Sequence, residues 1–313
     1  AIWLSPSLRL PPFLQGAAFF ARALTRSGVK TPAKGTADCP FSPGISFSNG
    51  GSVMHDFTYY AQILISGLTI GSLYALIAIG YTMVYGIAKM LNFAHGDIIM
   101  VGAYIIYYSM TSFGINPILS IVISMALCTV LGVVIERVAY RPLRNASSSL
   151  AVLITAIGVS YLLQNTALLI WGSTPKSFSS IVSAEPIRLF DGRLTISAEA
   201  VVTIAACIII MVALTLFTSK TKMGKAMRAV SEDKGAAQLM GINVNVTISL
   251  TFAIGSALAA IAGVLLCSMY PNLLPTVGAM PGIKAFTAAV FGGIGSIPGA
   301  MLGGILLGII EIF

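Results

Sequence analysis

The sequence predicts an all-α polytopic membrane protein. Of its 313 residues 57% are hydrophobic and only 9% are charged, with a mean hydropathy of +0.92, whereas about a quarter of the residues in a soluble domain are charged. Apolar runs of about 20 residues recur, the length an α-helix needs to cross about 30 Å of hydrocarbon. They lack the short alternating segments of a membrane barrel.

The first 53 residues differ from the rest. They are rich in Pro, Gly and Ser, carry Arg9, Arg22, Arg26, Lys30 and Lys34, and have no acidic residue before Asp38. This basic character resembles an organellar transit peptide. The lack of an initial Met, with Met54 just ahead of the first apolar run, favours translated upstream sequence and Met54 as the start. Residues 1–53 are therefore expected to be a disordered or non-native extension, outside the fold.

About seven apolar helical segments follow: Phe57 to Gly86, Ile98 to Ser112, Pro117 to Ile135, Leu150 to Trp171, Ala200 to Phe217, Val246 to Met269 and Ala285 to Phe313. The last is interrupted by Gly292, Gly293, Ile294, Gly295, Ser296, Ile297, Pro298 and Gly299, which a continuous helix tolerates poorly. A broken helix at membrane depth is stable where its freed backbone is buried or lines a watery cavity. The alternative is a bent helix facing lipid. The final run stops at Phe313 without polar residues, so a truncated C-terminus is expected for the 54–313 transmembrane domain.

Arg137, Arg141 and Arg144 follow the third run, and Lys220, Lys222, Lys225, Arg228 and Lys234 follow the fifth. Basic loops stay in the cytoplasm, so these two share that side. The turn at Thr111 to Asn116, the loop 172–199 and the segment from Pro271 to Gly282 then lie outside. In loop 172–199, Lys176, Arg188 and Arg193 are balanced by Glu185, Asp191 and Glu199. Alternation from Ile187 to Ile196 around Asp191-Gly192 predicts a small external β-hairpin.

The overall charge of +8 sits in these short clusters beside apolar runs, not along one amphipathic face, so topology accounts for it and nucleic acid is not an expected partner. Cys39, Cys128, Cys207 and Cys267 show no CxxC spacing, and the last three read as small apolar packing residues. With only His55 and His95 available, no metal-ligand cluster forms. Gly224-Lys225-Ala226 lacks the first glycine and the following Ser or Thr of a phosphate-binding loop. No nucleophile, base and orienting acid can be assembled, so no enzymatic activity is expected.

Between the first two runs lies Asn92-Phe93-Ala94-His95-Gly96-Asp97. His95 and Asp97 can be read as a proton relay, but their place at a span end favours Asn and Asp side chains capping the second helix. Tyr81, Thr82, Tyr85, Thr155, Ser160, Gln164, Asn165 and Thr287 lie within runs and are candidates to line a passage, together with Asn92, His95, Asp97, Gly292 and Gly293. The competing reading is interhelical packing, with Gly67, Gly71, Gly80 and Gly86 allowing close approach.

From Gly224 to Asn243 runs a polar, alanine-rich island inside loop 219–245. A helix from Gly224 to Met240 places Met227, Val230 and Ala237 on one face and Lys225, Glu232 and Asp233 elsewhere. Lipid headgroups are one candidate partner for its basic residues. The two mid-helix carboxylates favour docking to a cytoplasmic protein.

The blocks Tyr81 to Tyr104, Glu136 to Arg144 (Glu-Arg-Val-Ala-Tyr-Arg-Pro-Leu-Arg), Gly224 to Asn243 and Gly282 to Gly304 together resemble the branched-chain amino acid permease family of bacterial ABC importers. The resemblance covers Met54 to the end; the first 53 residues have no counterpart, and family members continue beyond the position of Phe313. It implies an inner-membrane subunit importing leucine, isoleucine or valine. It also implies a second homologous permease, two cytoplasmic ATPase subunits that carry ATP and magnesium, and a periplasmic binding protein that docks on loop 172–199. No cofactor binds this chain on that reading. The island becomes a coupling segment that enters a cleft on the ATPase, with Gly224, Arg228, Ala229, Ala237 and Gly241 matching the family pattern and Glu232, Asp233, Ile242 and Asn243 beside them. Rival expectations are import of urea, amides or simple sugars, and a proton-coupled carrier, which needs an intramembrane carboxylate; Asp97, Glu136 and Glu311 all fall near span ends.

Overall fold

A computed structural model describes residues 52–145, 149–177, 187–189 and 194–313. The extension expected at 1–53 falls almost wholly outside the described residues. Helix α1 (Ser52–Ala88) is followed by α2 (His95–Thr111) and α3 (Pro117–Ile135), which runs on through a π turn (Glu136–Tyr140) and a 3-10 turn (Pro142–Asn145). Then come α4 (Ser149–Trp171), β1 (Lys176–Ser177), β2 (Ile187–Leu189), β3 (Leu194–Ile196), α5 (Ala198–Lys220), α6 (Lys222–Glu232) and α7 (Lys234–Leu239). Helix α8 (Val244–Met269), β4 (Asn272–Leu273), α9 (Ala279–Phe291) and α10 (Ile297–Ile312) complete the chain.

Among the described residues five helices, α1, α3, α4, α5 and α8, are long and apolar enough to cross a membrane by length and composition. Their ends follow local chemistry. Asn116, with Pro117 behind it, accepts from the Ile118 amide at 3.0 Å and starts α3; Ser197 accepts from Ala200 and starts α5; both supply an oxygen to the otherwise unsatisfied first-turn amides. Cys128, Cys207 and Cys267 are buried packing residues, as their spacing predicts.

Helices α1 and α8 are largely buried and form the centre, while α3, α4 and α5 keep broad apolar faces exposed. The loops sort to two ends. At one end β1 pairs antiparallel with β4, Lys176 opposite Leu273, joining the long 172–199 segment to the α8–α9 connection. There too β2 pairs with β3, Ile187 opposite Ile196, as the hairpin reading predicts; its turn, 190–193, lies outside the described residues. Gln62 binds both backbone groups of Thr195, which holds that hairpin on α1. At the other end Lys234 Nζ donates to the carbonyl of Ala88 at 3.1 Å, gathering α7 and the end of α1 on the side of the basic loops.

The last apolar run is not one helix. It forms two antiparallel legs, α9 of about 20 Å and α10 of about 24 Å at 1.5 Å per residue, turning at 292–296. Gly293 (φ +87°) and Gly295 (φ +105°) supply left-handed backbone at the turn, and Ser296 caps α10 through the Gly299 amide. Neither leg has the length of a membrane-crossing helix. The hairpin tip lies beside Gly86, where an added methyl would be 3.2 Å from the Cα of Gly295.

Leg α10 meets α1 backbone to backbone. A methyl on Gly71 would lie 2.8 Å from the Cα of Ile305, and one on Gly308 would strike the backbone of Gly71. Without a hydrophobic drive between helices in lipid, such small-residue seams supply the packing. Gly71→Leu is expected to destabilise the folded chain by about 1–3 kcal/mol or more through overpacking. Gly158→Leu on α4, where nothing lies within 4 Å, serves as the neutral control; thermal unfolding in detergent compares the two.

Candidate functional site

Two neighbouring regions collect the residues singled out by sequence. The first begins where α1 ends. Lys89 takes φ +58° and the chain turns back into the bundle, so that α2 begins at His95 with its ring under Gly80. A methyl on Gly80 would lie 2.6 Å from His95 Nε2. Gly80 is about 12 Å short of the Ala88 end at the helical rise, which places the start of α2 inside the bundle.

The capping expectation for Asn92 and Asp97 is overturned. The residue before α2 is Ala94, and no side chain caps the helix. Asn92 Oδ1 accepts from the Tyr140 hydroxyl at 2.9 Å, and Asp97 Oδ1 accepts from Gln164 Nε2 at 2.8 Å. Burial explains the difference: Asn92 and Asp97 are 3% and 2% exposed, so their side-chain oxygens are reached by tertiary donors from the π turn and α4 in place of water. Asp97 and Glu136 do fall near helix ends, as expected, yet both are buried, Glu136 fully.

Tyr81 packs on His95, with ring centroids 4.6 Å apart, and on Phe286, which also meets Phe93. His95 Nε2 has no hydrogen-bond partner among the described residues. Tyr81, Tyr85, Asn92 and Phe286 surround a space of only about 10 Å³, a closed constriction. Tyr81, Tyr85, Asn92, His95, Asp97 and Gln164 are therefore brought together. Asn165 and Thr287 are not: Asn165 is exposed and binds the carbonyl of Tyr161 on its own helix, and Thr287 binds that of Lys284. Gly292 and Gly293 stand at the hairpin turn instead.

The second region is the polar island. It is two helices, not the single one expected. Asp233 (φ −145°, ψ 114°) ends α6 and caps α7, accepting from the amides of Gly235 and Ala236 at 2.7 and 3.1 Å. An aspartate side chain competes with the helix for its own backbone donors, which favours a cap over an interior position. The predicted faces survive the break. Met227, Val230 and Ala237 are buried, while Lys225, Glu232 and Asp233 are exposed.

Gly224 permits α6 to fold against the end of α5, since any side chain there would strike Phe217 and Thr218. Arg228 donates to the carbonyl of Thr218 through Nε and Nη2, at 3.2 and 2.8 Å, satisfying the end of α5. Ala229 is half-buried behind it. Gly241 (φ +80°) ends α7 in a Schellman arrangement: its amide donates to Gln238 and that of Ile242 to Ala237. Only glycine takes this φ without strain. Asn243 then caps α8.

Sequence reading missed three features here. Leu239 and Met240, 90% and 82% exposed, form an apolar tip on α7; their signal was two apolar residues off the register of the buried stripe. Lys234 clamps the Ala88 carbonyl, and burial together with nearby Arg144 and Lys89 holds its ammonium below the usual lysine pKa. Glu136 pairs with Arg144, accepts from the Ser249 hydroxyl at 2.6 Å, and Arg144 in turn donates to Asn245. Burial lowers the pKa of that guanidinium against the opposing pull of Glu136.

Between the two regions lies a cavity of about 560 Å³ lined by Thr82, Gly86, Lys89, Arg228, Glu232 and Ser296, among others. The helical island, the end of α1 and the hairpin turn thus share one water-accessible space.

The model of the branched-chain amino acid transport system / permease component family matches residues 63–313. The chain belongs to this family. A high-affinity branched-chain amino acid transport system permease protein, BraD of Pseudomonas aeruginosa, is 46% identical over 270 residues, covering 83% of this chain and 88% of that protein. The similarly named LivH permease of Escherichia coli K12 is 46% identical over 267 residues, 82% and 86% of the two chains. A probable LivH of Methanocaldococcus jannaschii is 33% identical over 258 residues, 80% and 79%. No solved structure matches the chain. Membership in a permease family and the membrane-length helices make this a multi-pass inner-membrane protein.

Glu136→Ala is expected to cost this permease about 3–5 kcal/mol, because it leaves the Arg144 charge buried without a partner. A Glu136→Leu/Arg144→Leu double variant should recover most of that loss; thermal unfolding of the purified protein checks both.

Proposed function

We propose that this chain is the permease subunit of an ATP-driven importer that carries leucine, isoleucine and valine into the cytoplasm. Similarity over more than four-fifths of the chain to relatives named as high-affinity branched-chain amino acid permeases carries this reading. The named fructose import permease of Rhizobium meliloti is similar over only 30% of the chain, so sugar import has weaker support.

In this reading ATP and magnesium belong to two cytoplasmic ATPase subunits, a second permease completes the gate, and a periplasmic binding protein docks on the 172–199 side. The exposed Leu239–Met240 tip enters the ATPase. Apolar residues that are nearly wholly exposed at a cytoplasmic tip are buried by a protein partner at a gain, and water is a poor alternative for them. Closure of the ATPase pair moves α6 and α7, and nucleotide shifts the gate by binding one state better than the other. Two links carry that movement into the bundle: Lys234 to the end of α1, and Arg228 to the end of α5.

Leu239→Asp/Met240→Asp is expected to abolish co-purification of the ATPase subunits and uptake of radiolabelled leucine while membrane insertion stays normal. Undiminished uptake by that variant overturns the docking assignment. Absence of leucine, isoleucine and valine uptake by the wild-type assembly overturns the importer reading itself.

Gly241→Glu places a residue with a Cβ at φ +80° in the same turn. It is expected to lower leucine uptake at least about fivefold through a strain of about 1–3 kcal/mol, measured against insertion-matched wild type.

A further inference from the structure

One ion pair lies outside both regions described above. Lys284 on α9 and Glu311 on α10 meet across the helical hairpin, Nζ to Oε1 at 2.5 Å. Tyr74 of α1 joins them, its hydroxyl accepting from Lys284 at 3.3 Å and donating to the same Oε1 at 3.4 Å. Tyr74 stands about 21 Å from the Ala88 end of α1 and about 22 Å from Tyr59 at the helical rise, so the pair sits near mid-depth. Both side chains remain about one-third exposed, at 35% and 34%. Charges at that depth are rare and face protein or water, and they mark solute paths in preference to lipid contacts.

The pair edges a cavity of about 240 Å³ whose other walls, Tyr74 and Tyr270 apart, are apolar, among them Ile70, Leu73, Leu266, Val277 and Met280. Its polar groups are not used up. Glu311 Oε2 has no protein partner among the described residues, and an ammonium has three protons, of which Lys284 commits two. We infer that this cavity is a subsite for a zwitterionic α-amino acid with an aliphatic side chain, an assignment that rests on the importer reading above. The ligand carboxylate takes the free proton of Lys284, its ammonium takes Glu311 Oε2, and two antiparallel ion pairs result. The side chain lies against the apolar walls, whose burial favours an aliphatic group over a charged one.

The test uses the complete importer assembly carrying Met280→Cys, whose position lines the cavity and is exposed, and follows its labelling by a small water-soluble thiol reagent. Saturating leucine is expected to slow labelling roughly fivefold or more by occupancy. Leucinamide, without the carboxylate, and 4-methylpentanoate, without the ammonium, are expected to leave the rate unchanged. Adding Lys284→Gln/Glu311→Gln, which keeps a hydrogen-bonded link between the legs but removes both charges, should abolish protection. No protection by leucine, equal protection by all three compounds, or protection that survives the neutral pair overturns the assignment. Should the neutral pair fail to assemble, the three-compound comparison on Met280→Cys alone decides. Leucine uptake by the wild-type assembly is scored separately, so an importer that transports leucine without protecting this site defeats the subsite and leaves the importer reading standing.

Discussion

A helical bundle in a bilayer has no water to offer a buried polar atom, and the arrangement of this chain depends on how each such atom finds a protein partner. Glu136 is met by Arg144 and Ser249, Asn92 by Tyr140, Asp97 by Gln164, and Lys284 by Glu311. Apart from Arg144, eight residues from Glu136, these partners arrive from elements distant in sequence, so polar satisfaction also fixes which helices are neighbours. The apolar faces alone specify this poorly, because side chains that are apolar all round favour no particular neighbour in lipid. His95 Nε2, under Gly80, and the hydroxyls of Thr82, Tyr104, Ser120 and Thr215 are buried without a hydrogen-bond partner among the described residues.

The same partnerships give the island a mechanical connection to the interior. Helix α7 holds the end of α1 through Lys234, and the next residues, 89–94, carry the chain back to His95 and Asp97. Helix α6 holds the end of α5 through Arg228. A displacement of the island therefore acts on two helix ends, and through α1 on the glycine seam with α10. The hairpin turn at 292–296 lines the same cavity as α6.

Much of this was legible from residue order. The starts and ends of α3, α4 and α8 follow the apolar runs to within two residues, because a membrane-length stretch of apolar side chains has few other fates. The buried stripe of Met227, Val230 and Ala237 followed from helical periodicity, and the hairpin strands from alternation around Asp191-Gly192. The break of the last run followed from its Gly and Pro content. Less legible were the roles of Asn92, Asp97 and Arg228. Asn and Asp near a helix start have a local use as caps, and only the arrival of Tyr140 and Gln164 from other helices replaces it. Arg228 reads as a free surface charge until the fold-back allowed by Gly224 brings it to Thr218.

Sequence by itself determined the membrane class, the apolar helical segments and the amphipathic island, since all of these follow from composition and period along a single segment. Tertiary structure alone decided the re-entry of residues 89–94, the antiparallel closing of α9 on α10 and the pairing of Lys284 with Glu311. Those features depend on the energy of a polar atom or a backbone contact whose partner lies far along the chain, and no local pattern records which partner arrives.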